Sequence, residues 1–340
     1  MVKEKKVCPT CGEEHTKDGD FCGRACYWLA RTGKSARQNG KVEIPPVLNA
    51  VAEEWPNVQV KLEDFDSRLA EVEGVTPPRV IHVRQPDGAD HEVTGAVHEA
   101  FERILQMAMA RKPIFLPGPS GSGKTHVSKQ VSEALNLRFG SVSCSVGMSE
   151  SQLLGRSLPT GKNGEFEFQT TEFLECYEKG GVFLLDEMDA ADSNVLIALN
   201  SAIANGEVAV PARKDKPRAV MHEDFVIIAA ANTFGRGADR LYCGRNQLDE
   251  ATLDRFRIGT IPMDYNAALE KQLCPITELY SRLKGYRDRI AANRLQRIVS
   301  TRFMKDAYEM VSKWGWTYEM VDEQLFSGWR EDEIAKVKSN

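Results

Sequence analysis

The stretch FLPGPSGSGKTHV, Phe115 to Val127, has the spacing G-x-x-x-x-G-K-T from Gly118 to Thr125. Glycines at such spacing let backbone N–H groups turn inward around phosphates, and a helix that starts there points its positive end at them. The apolar run Ile114 to Pro117 comes before it and a helical pattern comes after, which is the strand–loop–helix context this loop requires. The candidate phosphate cradle is Gly118, Pro119, Ser120, Gly121, Ser122, Gly123, Lys124, Thr125 and His126. Lys124 is placed to reach the β- and γ-phosphates, and the Thr125 hydroxyl to hold Mg²⁺.

Two strands downstream complete a hydrolytic site. GGVFLLDEMD reads as a buried strand ending in Asp186 and Glu187. An aspartate there can hold the magnesium shell, and the adjacent glutamate can orient or deprotonate an attacking water. FVIIAAANT reads as a third strand ending in Asn232, whose amide can hold the water or the γ-phosphate if this strand lies between the Asp186 strand and the loop. Asn also favours plain strand-end turns. Adjacent Asp-Glu belongs to hydrolysis more than to small-molecule kinase chemistry.

Outward from this centre, apolar runs mark strands near 113–117, 138–145, 181–186, 225–232 and 257–262. Alternation with helices implies a parallel sheet covered on both faces. The expected fold is α/β, a P-loop NTPase core with a five-stranded parallel sheet between helices, over residues 79–263. A helical lid is expected over 264–340. Before the loop, RVIHVRQPDGADHEV predicts a hairpin about Asp87-Gly88. An amphipathic helix then carries Val97, Phe101, Ile104, Leu105 and Ala108 on one side.

The N-terminal part is different. Residues 1–41 hold nine Lys/Arg against five Asp/Glu, whereas the whole chain of 340 residues has a formal charge of −5. Cys8-x2-Cys11 and Cys22-x3-Cys26 match tetrahedral zinc, and the pattern predicts a structural four-cysteine head over 1–32. So small a head needs the metal to fold. Residues 33–78 read as a linker and then an amphipathic helix or short coiled coil. Its apolar positions are Leu48, Val51, Trp55, Val58, Leu62, Phe65, Leu69 and Val72, in steps of three and four. The start has no apolar leader and the longest apolar run is far too short to span a membrane, so a cytoplasmic location is expected. Without a chain-wide basic stripe, nucleic acid is the lesser partner.

Taken together, the loop, Asp186-Glu187, Asn232, LDEATLDRF and IVSTRFM resemble an AAA+ ATPase of the MoxR-like group over about residues 90–310. The run AANTFGRGADRLYCGRNQLDEATLDRF is similar to the cobaltochelatase ATPase-subunit family. The resemblance implies that Asn232 matches sensor 1, that Arg255 is an arginine finger supplied to a neighbouring subunit, and that Arg302 is sensor 2 on the lid. Arg257 and Arg240 are rivals for the role in trans. It also implies a homo-oligomeric ring, usually hexameric, using ATP and Mg²⁺, and a protein client with a von Willebrand A-type domain. Two hairpins fit inserts of the group. One lies about Asn163-Gly164 with Phe166 and Phe168, and the other in GEVAVPARKDKPRAVMH with Arg213, Lys214, Lys216 and Arg218. Either could grip a client, or Phe166 and Phe168 could pack on their own subunit with the basic tip solvated. The zinc head departs from the group's pattern. It leaves open a nucleic-acid motor recruited by the head, or the ATPase subunit of a metal-chelatase-like complex.

Overall fold

The structure is a computed structural model. It describes residues 95–160 and 165–339, together with the strand pairs Lys6–Val7 with Glu14–His15 and Ile81–Arg84 with Asp90–Val93. The Cys8, Cys11, Cys22 and Cys26 set, the 48–72 apolar seam and the Asn163-Gly164 turn lie outside the described residues. The chain divides into two compact units, Met1–Arg68 and Leu69–Asn340. In the first, Lys6 pairs with His15 and Val7 with Glu14, antiparallel. In the second, Ile81 pairs with Val93 and Arg84 with Asp90, the hairpin expected around Asp87-Gly88.

Four parallel strands form the central sheet, in the order Ile114–Pro117, Phe225–Ala231, Gly181–Asp186, Phe139–Ser143. Successive side chains leave a strand on opposite faces, and Gly181–Asp186 shows the result. Val182 and Leu184 join one buried cluster with Phe101, Ile104, Val127 and Val131, while Phe183 and Leu185 join another with Phe173, Tyr177, Leu199 and Phe256. Burial on both sides is why Ile114–Pro117, Gly181–Asp186 and Phe225–Ala231 are near-continuous apolar runs, while the edge strand Phe139–Ser143 is only partly buried and carries Ser141 and Ser143. The helix Phe101–Met109 buries Phe101, Ile104, Leu105 and Ala108, the stripe its spacing indicates.

The sheet has four strands where five were expected. Residues Arg257–Gly259 form a 3-10 turn instead of starting a strand. Residues 260–263 then run along the outer edge of Ile114–Pro117, where the N–H groups of Ile261 and Met263 donate to the carbonyls of Phe115 and Pro117. Only Thr260 bridges to Phe115 in the pattern of a ladder. Pro262, between the two donors, has no N–H to offer, which is tolerated at an edge.

Beyond 263 the chain is helical. Ala267–Leu273, Thr277–Ala292, Thr301–Trp314, Tyr318–Phe326 and Glu331–Lys338 surround a separate core of Leu279, Leu283, Tyr286, Met304, Leu325 and Phe326. The Glu270 carboxylate ties the first three of these helices together. It accepts a two-pronged pair from Arg287 at 2.9 and 2.6 Å and the Thr301 hydroxyl at 2.6 Å. No helix among the described residues is long and apolar enough to cross a membrane.

Both expected hairpins are present as paired strands, Arg156–Pro159 with Phe166–Gln169 and Glu207–Ala209 with Arg218–Val220. Phe166 is 60% exposed, while Phe168 packs against the core. In the second hairpin Lys214, Lys216 and Arg218 are exposed to solvent, and three of the four basic groups also meet a carboxylate. Arg213 pairs with Glu178 through both amino groups at 2.6 and 3.0 Å, Lys216 reaches the same carboxylate at 2.8 Å, and Arg218 pairs with Glu207.

Candidate active site

The strand Ile114–Pro117 delivers the loop and the helix Lys124–Ala134 leaves it. Gly123 caps that helix at φ +97°, a left-handed conformation that costs a side-chain-bearing residue about 1–2 kcal/mol. At Gly121 a Cβ would come within 2.6 Å of the Ser300 Cβ, so the loop and the start of the lid helix Thr301–Trp314 approach too closely for any other residue. The close approach sets Arg302 against the loop.

A cavity of about 600 Å³ opens between them. Its lining includes Ser120 to His126, Asp186, Glu187 and Asn232, with Leu269, Leu273, Arg302 and Lys305 from the lid. The Lys124 Nζ donates to the Gly118 and Pro119 carbonyls at 2.8 and 2.9 Å and to the Asn232 amide oxygen at 3.2 Å. The Thr125 hydroxyl donates to Asp186 Oδ2 at 2.8 Å. Strand order accounts for both contacts, since Phe225–Ala231 lies between the loop strand and the Asp186 strand. Glu187 comes after Asp186 in a left-handed conformation, φ 55° and ψ 39°, which turns it out of the strand.

Charge in the site is crowded. Burial pushes the Lys124 ammonium down to about 8, against the opposing pull of Asp186, Asp189 and Glu187. The cavity fits a nucleotide and its metal. The Ser122 hydroxyl is buried in the loop with no hydrogen-bond partner among the described residues, so the cradle holds a polar atom with nothing of its own to bind. Thr125 and Asp186 offer the hard oxygen donors that Mg²⁺ takes. Among the described residues no group of three or more His, Cys, Asp or Glu could hold a metal.

The sequence-predicted residues separate into two groups. Lys124, Thr125, His126, Asp186, Glu187, Asn232 and Arg302 converge on the cavity. Arg255 does not line it. It sits on the helix Glu250–Phe256, where its Nη1 donates to the Ala251 carbonyl at 2.5 Å and its Nε is buried without a partner among the described residues. Its rival Arg257 is engaged by Glu250 and Asp254 from that same helix, while Arg240 is exposed.

Residues that sequence reasoning missed cluster around the same loop. The Ser120 N–H donates to the Tyr242 hydroxyl at 2.8 Å, and the Tyr265 hydroxyl donates to the Ser120 carbonyl at 2.9 Å. The Arg287 guanidinium stacks 3.9 Å from the centre of the Tyr265 ring, a cation–π contact that joins this clamp to the lid. Arg245 donates to Glu187 Oε1 at 3.2 Å. Lys305, one turn beyond Arg302, adds a second lid cation at the cavity. The i, i+3 spacing of Arg302 and Lys305 was a legible signal for that last pair.

Residues 113–256 match the AAA domain (dynein-related subfamily). Midasin of Dictyostelium discoideum is 29% identical over 220 residues, which is 63% of this chain and 3% of that protein. The uncharacterized protein YojN of Bacillus subtilis strain 168 is 29% identical over 165 residues, 48% of this chain and 51% of its own length. The chain thus spans about half the length of this bacterial relative and a small fraction of Midasin. The crystal structure of NtrX from Brucella abortus in complex with ADP superposes with a TM-score of 0.39 at 18% identity, covering 68% of this chain and 49% of that one.

Proposed function

We propose, from the premise that residues 113–256 form an AAA domain of the dynein-related subfamily, that the chain is a ring-forming ATPase that couples ATP hydrolysis to remodelling of a protein client. The observation that carries the reading is the pair of contacts Lys124 to Asn232 and Thr125 to Asp186 at the floor of a cavity walled by Arg302. In this reading the loop N–H groups and Lys124 bind the phosphates of ATP. Thr125 and Asp186 hold Mg²⁺, which when bound offsets the phosphate charge. Glu187 takes the proton of the attacking water, and Asn232 orients that water beside the γ-phosphate. Arg302 closes over the phosphates from the lid, where a planar guanidinium suits the charge that develops on transfer.

Arg255 is proposed to complete the site of a neighbouring copy, because its Nε has no partner among the described residues and it stands away from its own cavity. A head-to-tail contact that closes on itself makes a ring, and the hexamer is the form proposed. Arg255→Ala is expected to leave ATP binding within about twofold of wild type and to lose most hydrolysis, with about 10³-fold as the scale for a lost finger. Mixing these chains with Glu187→Gln chains should restore part of the turnover, because mixed interfaces can pair an intact Glu187 with an intact Arg255. Failure of the mixture to recover activity removes Arg255 from the trans role.

A protein client, with a von Willebrand A-type domain as the proposed class, is preferred over nucleic acid for a specific reason. Three of the four basic groups of the second hairpin, Arg213, Lys216 and Arg218, are paired with Glu178 and Glu207, which leaves exposed Lys214 outside these pairs and, among the described residues, no cluster of unpaired basic groups at the tip. The Cys8, Cys11, Cys22 and Cys26 head is proposed to hold one structural zinc and to recruit a partner. Elemental analysis should find about one zinc per chain, lost in Cys22→Ser while the ATPase persists. A wild-type chain without zinc ends that part of the reading.

A further inference from the structure

The segment Asp239 to Asn246 belongs to no helix or sheet, yet it touches the site at two points that no family resemblance assigned. Arg245 is the first. Its Nη2 donates to Glu187 Oε1 at 3.2 Å, and its Nη1 lies 3.5 Å from Asp189 Oδ1. Asp189 is 0% exposed. Its other oxygen accepts the Thr233 N–H and hydroxyl at 3.0 and 2.9 Å, but Oδ1 has no hydrogen bond among the described residues. A buried carboxylate oxygen left so needs a charge beside it, and Arg245 supplies one. Burial works against that charge, but the Glu187 hydrogen bond and the Asp189 carboxylate outweigh it and raise the pKa of the guanidinium.

Glu187 needs such a partner. Its side chain is 42% exposed, so packing does not fix its direction. Its backbone is held left-handed in the turn between the strand and the residues Met188–Ala190. Among the described residues, Arg245 is the hydrogen-bond partner of this carboxylate. The second point is Tyr242, three residues earlier, which receives the Ser120 N–H of the phosphate loop. Asn246 secures the far end, donating from its N–H to the Asp189 carbonyl at 2.6 Å and from its amide to the Ala191 carbonyl at 3.0 Å.

We propose that Arg245 is a positioning residue for hydrolysis: anchored on Asp189, it tethers the Glu187 carboxylate, and its segment links that tether to the phosphate loop through Tyr242. The proposal rests on the ATPase reading above. It acts on turnover and not on nucleotide capture, because Arg245 does not line the cavity.

The test compares full-length wild type with Arg245→Ala, Arg245→Gln, Arg245→Lys, Glu187→Ala and the Glu187→Ala/Arg245→Ala double variant. Turnover is measured at saturating Mg·ATP and affinity with a fluorescent ATP analogue. Arg245→Ala should lower kcat about tenfold to a hundredfold, the scale of a misplaced reacting group, with affinity within about twofold of wild type. Arg245→Lys should recover most of the loss. Arg245→Gln keeps a donor for Asp189 and guards against a variant that does not fold. It should turn over as slowly as Arg245→Ala while melting closer to wild type. In the Glu187→Ala background, removing Arg245 should slow the residual rate no further, because a residue acting through Glu187 has nothing left to act on.

Turnover at or above the wild-type rate in both Arg245→Ala and Arg245→Gln overturns the tether, as does a full additive loss in the double variant. A wild-type chain that binds the analogue yet hydrolyses no ATP fails differently. It sinks the ATPase reading, and the tether with it.

Discussion

Lys124→Ala is expected to bind Mg·ATP about thirtyfold to several-thousandfold more weakly than wild type, the equivalent of about 2–5 kcal/mol for a lost buried charge partner. The cause is local. Lys124 is 7% exposed and directs its donors at two loop carbonyls and Asn232. Phosphates arriving in the cradle meet a cation already desolvated and already aimed. The depressed pKa gives a second readout. At pH 8 about half of the Lys124 side chains are neutral before ATP arrives. Bound phosphates restore the charge, so binding should take up protons, about half a proton per site at pH 8 and less at pH 7. Affinity should therefore weaken as pH rises through about 8.

The stability of the nucleotide-free chain moves the other way. Between about 8 and 10.5 the unfolded chain holds the Lys124 proton that the folded chain has lost, so stability from this group rises with pH across that window. Calorimetry in two buffers of different ionisation enthalpy measures the uptake. Equal heats in both buffers at about pH 8 contradict it.

Glu187→Gln should retain ATP affinity and lower turnover about 10²- to 10⁴-fold, the usual contribution of a positioned general base. Glutamine keeps the shape and can still accept from Arg245, but it cannot take a proton. Asp186, which meets Thr125, is untouched by the change, so the pair proposed to hold the metal survives. The variant is then a trap. Held in ATP, it should retain its client, and mass spectrometry of what co-purifies tests the client class. Nucleic acid that stays bound through high salt would replace the remodelling reading with a motor acting on DNA or RNA. Wild-type turnover in Glu187→Gln would move the base elsewhere.

Much of the site was legible because its chemistry sits at strand ends. An apolar run leading into Asp186-Glu187, and another leading into Asn232, mark the edge of a parallel sheet where a loop of glycines can cradle phosphate. Once strand order is known, those three segments must meet. The edge segment near 257–262 was misread for a physical reason. Its apolar residues Ile258 and Ile261 look like a strand, but backbone hydrogen bonding decides: residues 257–259 form a 3-10 turn, and Pro117 opposite has no N–H to return to the Ile261 carbonyl, so the pairing stops at one bridge. Tyr242 and Arg245 were invisible for another reason. They sit in a segment with no period, and their partners Ser120 and Glu187 are 122 and 58 residues away in sequence. Nothing local distinguishes them from surface residues. Arg255 is the reverse case, visible by resemblance but standing apart from the cavity of its own chain.

The edge contact of Ile261 and Met263 has a mechanical consequence. The two rungs fasten the chain between Arg255 and the lid to Phe115 and Pro117, at the threshold of the phosphate loop. Loop, lid hinge and Arg255 are therefore gripped at one short splice. Shifting the loop against this splice requires both rungs to lengthen together. In the proposed ring, the splice would therefore couple the loop that holds the phosphates to the segment that carries Arg255.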